Sequence, residues 1–335
     1  VKERRVHEVD FLSVEPDGKS GDAITARFST AAGSNAVIVI DGGFTEIGSN
    51  IVDHIRRWYG TSYVDLVINT HPDADHINGL ATVLEEMAVG ELLIHQPRRH
   101  GYTQTDVNPD AVDDLVDLAR RRGVPVTEPF AGLQRFDGAF SVLGPTQDYY
   151  EELLKEQLEG RSLAAAIASL YRKAKSLGKR VLPQLPDEET LDNAGETSSR
   201  NNTSVITQLA VDGQRLLFTG DAGIPALDNA LDYADYYYPV MLPLKFFDVP
   251  HHGSHHNIGP DLLDRLLTGE DDVTAFVSAS ESDDDHPSAK VTNALMRRGC
   301  SVYTTEDGGK CHRHDTPPRP GWTTAQPLPP LDESN

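Results

Sequence analysis

Asn69-Thr70-His71-Pro72-Asp73-Ala74-Asp75-His76-Ile77-Asn78-Gly79-Leu80 decides the reading of this chain. It places four metal-ligating side chains, His71, Asp73, Asp75 and His76, within six residues. The run Asp65-Leu66-Val67-Ile68-Asn69 leads into it and reads as a buried strand. A helix pattern follows over residues 78–87, with Asn78 placed to cap it. The cluster therefore sits on a strand-to-helix turn, where neighbouring side chains converge on one point. Imidazole and carboxylate together suit Zn²⁺, Mn²⁺ or Fe. The competing reading is a solvated loop that happens to be rich in polar groups.

The pattern extends outward to other strand ends. A strand over residues 35–40 ends in Asp41-Gly42-Gly43. A hairpin, 203–210 and 214–219, turns over Val211-Asp212-Gly213 and ends in Gly220-Asp221-Ala222-Gly223. A strand over 245–249 ends in Pro250-His251-His252-Gly253. Asp221 alone reads more readily as a turn residue than as a ligand. Side chains from several strand ends on one sheet edge, however, make a convergent site, and together these residues point to a dinuclear centre. Further strands are expected over 6–14, 22–28, 91–95, 134–143 and 273–278, with a last one over 301–304. Helices are expected over 49–59, 109–122 and 287–298.

Composition bounds the function. The chain has 335 residues, 38% of them apolar, enough for one large domain, expected over 1–315. A net charge of −22 argues against a broad nucleic-acid surface, although not against a local basic groove. The two cysteines, Cys300 and Cys311, are too few for a disulfide framework and are expected as free thiols, with Cys300 buried. Val1-Lys2-Glu3-Arg4-Arg5 leads into a strand pattern without an apolar signal core, and no apolar run reaches the roughly 18 residues of a membrane span. The expectation is a soluble, cytoplasmic protein. Residues 148–199 are polar and helical in pattern and read as an insertion. Within them, residues 161–180 carry Arg161, Arg172, Lys173, Lys175, Lys179 and Arg180 and no acidic residue. That is either a solvated helix face or a lid that attracts an anionic substrate. The tail, 316–335, has six prolines and is expected to be flexible.

His71-x-Asp73-x-Asp75-His76 resembles the metal-binding signature of the metallo-β-lactamase superfamily, with Asp73 where most members have His. The His-Pro-Asp-Ala-Asp-His form is similar to the C-terminal metallo-hydrolase domain of ComEC-type competence proteins. Gly21-Asp22-Ala23-Ile24, Asp41-Gly42-Gly43, Asn201-Asn202-x-Ser204, Phe218-Thr219-Gly220-Asp221, Val249-Pro250-His251-His252-Gly253-Ser254 and His286-Pro287 match that branch in order. The opening loop 15–20 and the insertion depart from it, and the membrane channel of those proteins is missing.

The resemblance implies an α/β (α+β) fold, a four-layer αββα sandwich with a helical insertion and two divalent metal ions, Zn or Mn, at one edge. It implies that His71 and Asp73 hold one ion. Asp75, His76 and either His251 or His252 hold the other, and Asp221 bridges them. Asp41 supports a ligand from outside. No histidine stands in the usual third-motif place; His95 and His100 precede it. Two such ions, about 4 Å apart, would acidify a water held between them and neutralise charge on the reacting centre. Asp75 and His286 are the expected catalytic pair, His286 serving the leaving oxygen. Asn202 and Ser204 orient substrate or support Asp221, and Lys173 and Lys175 draw in an anionic substrate. His255 and His256 are expected at the surface. The leading expectation is a phosphodiesterase or nuclease acting on a nucleic acid or nucleotide. The alternatives are a hydrolase of small carbonyl substrates (lactone, thioester or amide) and a weakly catalytic module that docks a protein partner through the insertion.

Overall fold

Alternating apolar side chains fold the start of the chain into an antiparallel meander of β1 (His7–Phe11), β2 (Ala23–Ser29) and β3 (Asn35–Gly42). The computed structural model describes residues 6–15, 18–102, 109–159, 189–238 and 241–333. A small parallel pair, β4 (Tyr63–Val64) and β6 (Ala88–Val89), flanks the sheet, to which β5 (Leu66–Ile68), β7 (Leu92–Leu93) and β8 (Val126–Thr127) add in parallel. The second sheet contains β9 (Gln134–Arg135), β10 (Phe140–Gly144), β11 (Ile206–Val211), β12 (Gln214–Phe218), β13 (Leu244–Asp248), β14 (Thr274–Val277) and β15 (Ser301–Thr304), in that spatial order. The final strand, β16 (Lys310–His314), returns to the first sheet beside β1.

The two sheets face each other across Val9, Phe11 and Ile38 on one side and Phe140, Leu209 and Phe246 on the other. Phe246 is fully buried and meets Phe11 and Phe276 edge-on, at centroid distances of 5.7 and 5.1 Å; truncating such a ring costs about 3–5 kcal/mol. The outward residues Val37, Val39 and Val67 of the first sheet are covered by Ile51, Val83 and Val116 from three helices. Leu217, Phe247 and Ala275 of the second are covered by Leu227, Leu263 and Val291. Strands buried on both faces read as continuous apolar runs, as in 37–40. The result is a four-layer αββα sandwich.

Several expectations need correction. The strand over 301–304 is not the last, because Lys310-Cys311-His312-Arg313-His314 forms an edge strand without the apolar alternation that would announce it. Asn78 does not cap a helix. The chain makes a short helix, Ala74–Ile77, and restarts over Leu80–Glu86 with Gly79 at the cap position, while Asn78 is itself helical. Gly79 is required there, since a Cβ would lie 2.0 Å from the Gly42 carbonyl oxygen. Of the insertion, Gln147–Glu159 is helical, but residues 189–199 are irregular. Lys173, Lys175 and the rest of the basic stretch, 161–180, lie outside the described residues.

Where it is described, the proline-rich tail makes side-chain contacts with the body of the fold. Arg319 is buried, donating to Glu8 and Asp10 at 2.7 and 2.8 Å, and Glu333 accepts from Asn293 and Arg297. Prolines forbid a helix or strand there, but they do not prevent docking by other side chains. Cys300 and Cys311 are free thiols, Cys300 buried.

Candidate metal centre

The site forms where strands of both sheets end side by side. β3 delivers Asp41, β5 the loop to His76, β12 Asp221, and β13 the two histidines His251 and His252. Two loops lock together through glycine: Gly79 donates its N–H to the Gly43 carbonyl at 3.0 Å. Asp41, His251 and His252 have φ of 56°, 50° and 56°. The left-handed region is unfavourable for residues with a Cβ, and such strain collects where function holds a side chain in place.

Asp41 is fully buried and organises the floor. It accepts from the Thr70 N–H at 2.8 Å, the Thr70 hydroxyl at 2.5 Å, the Asn69 amide at 3.0 Å and Nδ1 of His76 at 2.8 Å. Because the Thr70 hydroxyl donates to Asp41, its oxygen is left to accept from Nδ1 of His71, 3.1 Å away. Asn257 plays the same part for His251. Its amide donates to the Asp221 carbonyl at 2.8 Å, so its Oδ1 faces Nδ1 of His251 at 2.9 Å. In the neutral imidazoles each Nδ1 is thus the protonated nitrogen and each Nε2 carries the lone pair.

Those Nε2 atoms all face Asp221, from His76 at 3.3 Å, His71 at 3.5 Å and His251 at 3.6 Å. Acceptors are aimed at acceptors, an arrangement that needs a cation between them. Nε2 of His71, Nε2 of His76 and Oδ1 of Asp221 are buried without a hydrogen-bond partner, as are both ring nitrogens of His252. Buried polar atoms are rarely left so, and the donor set fits divalent metal. Burial opposes charge on His76, but Asp221, Asp41 and Asp75 push it well above the ordinary imidazole range. Burial would likewise raise Asp221, yet His251, His76 and His71 hold it well below the usual carboxylate range. A proton and a metal ion therefore compete for this centre.

Three three-donor groups emerge around it: His71, His76 and Asp221; Asp75, His76 and His252; and Asp22, Asp41 and His76. Nε2 of His252 is 3.8 Å from Asp75 Oδ2. His252 therefore sits with Asp75, whereas His251 sits with Asp221 and Asn201. Asp73 is less engaged. Its Oδ2 is 3.7 Å from His71 Nε2, while its Oδ1 accepts from Arg200 at 2.9 Å. Ser204 Oγ accepts the Asp221 N–H at 3.1 Å, and Asn202 Oδ1 accepts the Gly223 N–H at 3.0 Å, so both brace the Asp221 turn.

His286 lies at the rim, its ring 5.6 Å from that of His251. Its Nδ1 is 3.3 Å from Asp283. Burial pushes Asp283 up, but bonds from His286 and Ser20 hold its carboxyl below the usual range. His95 stacks on Tyr150 and His100 bridges Glu128 and Glu151; neither joins a metal-competent group among the described residues. His255 and His256 are exposed.

Sequence reasoning missed Asp22, Asn257 and Arg200. Asp22 is buried 3.6 Å from His252 Nδ1 and 3.8 Å from His76 Nδ1, and burial raises its carboxyl above the ordinary value despite those imidazoles. Its only signal was its place in Gly21-Asp22-Ala23. Arg200 had one too, lying directly before the Asn201-Asn202 motif.

The Metallo-beta-lactamase superfamily profile matches residues 30–267. ComE operon protein 3 of Bacillus subtilis (strain 168) is 23% identical over 266 residues, covering 78% of this chain but 26% of that protein, so the chain spans about a quarter of its relative. Among solved structures, the chain is similar to an archaeal metallo-beta-lactamase superfamily protein, ST1585 from Sulfolobus tokodaii (14% identity, 77% and 83% of the two chains, TM-score 0.33). It is also similar to a metallo-beta-lactamase from Hirschia baltica (13%, 79% and 93%, 0.34) and the long-form RNase Z from yeast (10%, 83% and 37%, 0.37). With the profile spanning most of the chain and the strand-end cluster lying between its two sheets, this protein belongs to the metallo-beta-lactamase superfamily.

Proposed function

We propose that this chain is a metal-dependent phosphodiesterase. The observation that carries the reading is the trio of Nε2 lone pairs, from His71, His76 and His251, directed at one buried carboxylate, Asp221. His71, Asp221 and Asp73 are the ligands proposed for one divalent ion, with His251 at its edge. Asp75, His76 and His252 are those proposed for the other. When bound, such ions supply an acidified water and offset charge on the reacting centre.

The remaining work falls to the chain. Asp41, Thr70 and Asn257 hold the imidazoles in the tautomer and direction that ligation requires. Arg200 and Asp73 are about one-third exposed, at 33% and 29%, so the guanidinium stands at the rim. A planar fork of N–H donors suits a phosphoryl oxygen better than a neutral carbonyl. His286, steadied through Nδ1 by Asp283, would hand a proton from Nε2 to a leaving oxygen. The likeness to ComEC-type domains supports the same substrate class.

The test is metal content by mass spectrometry, together with cleavage of bis-p-nitrophenyl phosphate and single-stranded DNA in Mn²⁺ or Zn²⁺. About two ions at this centre and phosphodiester cleavage are expected, with activity lost in folded Asp221→Ala and Asp75→Ala variants. Full activity in folded Asp221→Ala would sink the mechanism. Bound metal with lactone or thioester cleavage alone would replace the substrate class.

A further inference from the structure

A second group of imidazoles and carboxylates lies away from this centre. Asp212 and Asp221 flank opposite ends of β12, and the second group gathers at the Asp212 end. β1 and β16 pair antiparallel with His7 opposite His314. His312 stands two residues before His314 and so shares its face of the strand. Residues i and i+2 of one strand, with the cross-strand partner of one of them, bring three side chains to a single patch. The rings of His312 and His314 flank that of His7 at centroid distances of 5.7 and 5.3 Å.

The facing sheet supplies the carboxylate. Asp212, in the turn between β11 and β12, places Oδ2 3.4 Å from Nε2 of His314. His314, Asp212 and Asp315 bring one ligand atom each within 4.8 Å of one another.

His7 is the residue that ordinary packing does not explain. It is 1% exposed, and neither of its ring nitrogens has a hydrogen-bond partner. Nε2 of His312 is buried without one as well. Burial and the neighbouring imidazoles disfavour a charge on His7 and His312. Neutral imidazole is the form that binds metal.

We propose that His7, His312 and His314, with Asp212, form a second metal site that takes a nitrogen-preferring divalent ion such as Zn²⁺. Three imidazoles and one carboxylate suit zinc and its neighbours, not the oxygen-seeking Mg²⁺ or Ca²⁺. The rings now lie nearly parallel, at 24° and 15°, so ligation turns them about their side-chain torsions toward Asp212. An ion held there ties the edge of the first sheet to a turn of the second. That role is structural and independent of the Asp221 centre.

The experiment compares the whole chain with His314→Ala and Asp212→Asn. Bound Zn²⁺ per chain is counted by mass spectrometry and by calorimetric titration of chelator-treated protein. Each variant is expected to bind one ion fewer, to keep its phosphodiesterase activity, and to gain less thermal stability from added Zn²⁺. Asp212→Asn guards against misfolding, because Asn tolerates the left-handed turn geometry (φ 51°) while losing the charge. Equal ion counts and affinities in wild type and folded Asp212→Asn would overturn the proposal.

Discussion

Asp41 and His76 meet on the buried floor of the site, with Oδ2 2.8 Å from Nδ1. The same carboxylate holds Thr70, and through it His71, so one side chain aims two imidazoles. Asp41→Asn keeps the shape but replaces one acceptor oxygen with a donor. Metal affinity is expected to fall about 10- to 100-fold, read by competition with a chelator. Unchanged affinity in the folded variant would show that Asp41 only shapes the loop.

Arg200 separates phosphodiester from carbonyl chemistry. Its guanidinium is 2.9 Å from Asp73 at the rim. On the proposed reading, in which Arg200 donates to a phosphoryl oxygen, Arg200→Ala is expected to raise KM for bis-p-nitrophenyl phosphate about 10- to 100-fold, with less effect on kcat. A neutral lactone should be hydrolysed as before. An equal loss on both substrates would assign Arg200 to positioning Asp73.

Lys173 and Lys175 belong to a basic run in an otherwise acidic chain. Replacing both with Gln is expected to weaken binding of single-stranded DNA and to flatten its dependence on salt, because fewer counterions are released. Fluorescence anisotropy at several salt concentrations reads both effects. Identical slopes would remove those lysines from substrate binding.

Arg319 tests the docked tail. Burial would push Asp10 up, but His54 and Arg319 hold it at about 2, below its ordinary 3.8. The unfolded chain is then the first to take the proton as pH falls. The contribution of Asp10 is therefore complete above about pH 4 and is lost as pH drops toward 2. Arg319→Ala removes the cation shared by buried Glu8 and Asp10, leaving them Arg27 and His54, and is expected to cost about 3–5 kcal/mol. Urea unfolding at pH 7 reads that loss, and acid unfolding should begin at higher pH. A wild-type urea midpoint in the variant would mean that the tail contributes little.

The chain announces its fold through features that are local. Strand-like runs such as 65–69 and the polar strand ends at Asp41, Asp221 and His251 can be read in order, because side-chain period and turn chemistry are properties of neighbouring residues. Other features arise only in three dimensions. β16 was hidden because Lys310, Cys311, His312, Arg313 and His314 form a strand by pairing with β1, not by their own periodicity. The difference between His251 and His252 cannot be read from adjacent identical residues. It is set by which carboxylates each ring meets across the fold, Asp221 for His251 and Asp22 with Asp75 for His252. Gly79 rather than Asn78 begins the helix because the Gly42 backbone, distant in sequence, leaves no room for a side chain. Sequence alone determined which residues bear metal-binding chemistry. Tertiary contact decided which of them share a centre, because lone-pair direction and burial depend on neighbours that the chain brings together only by folding.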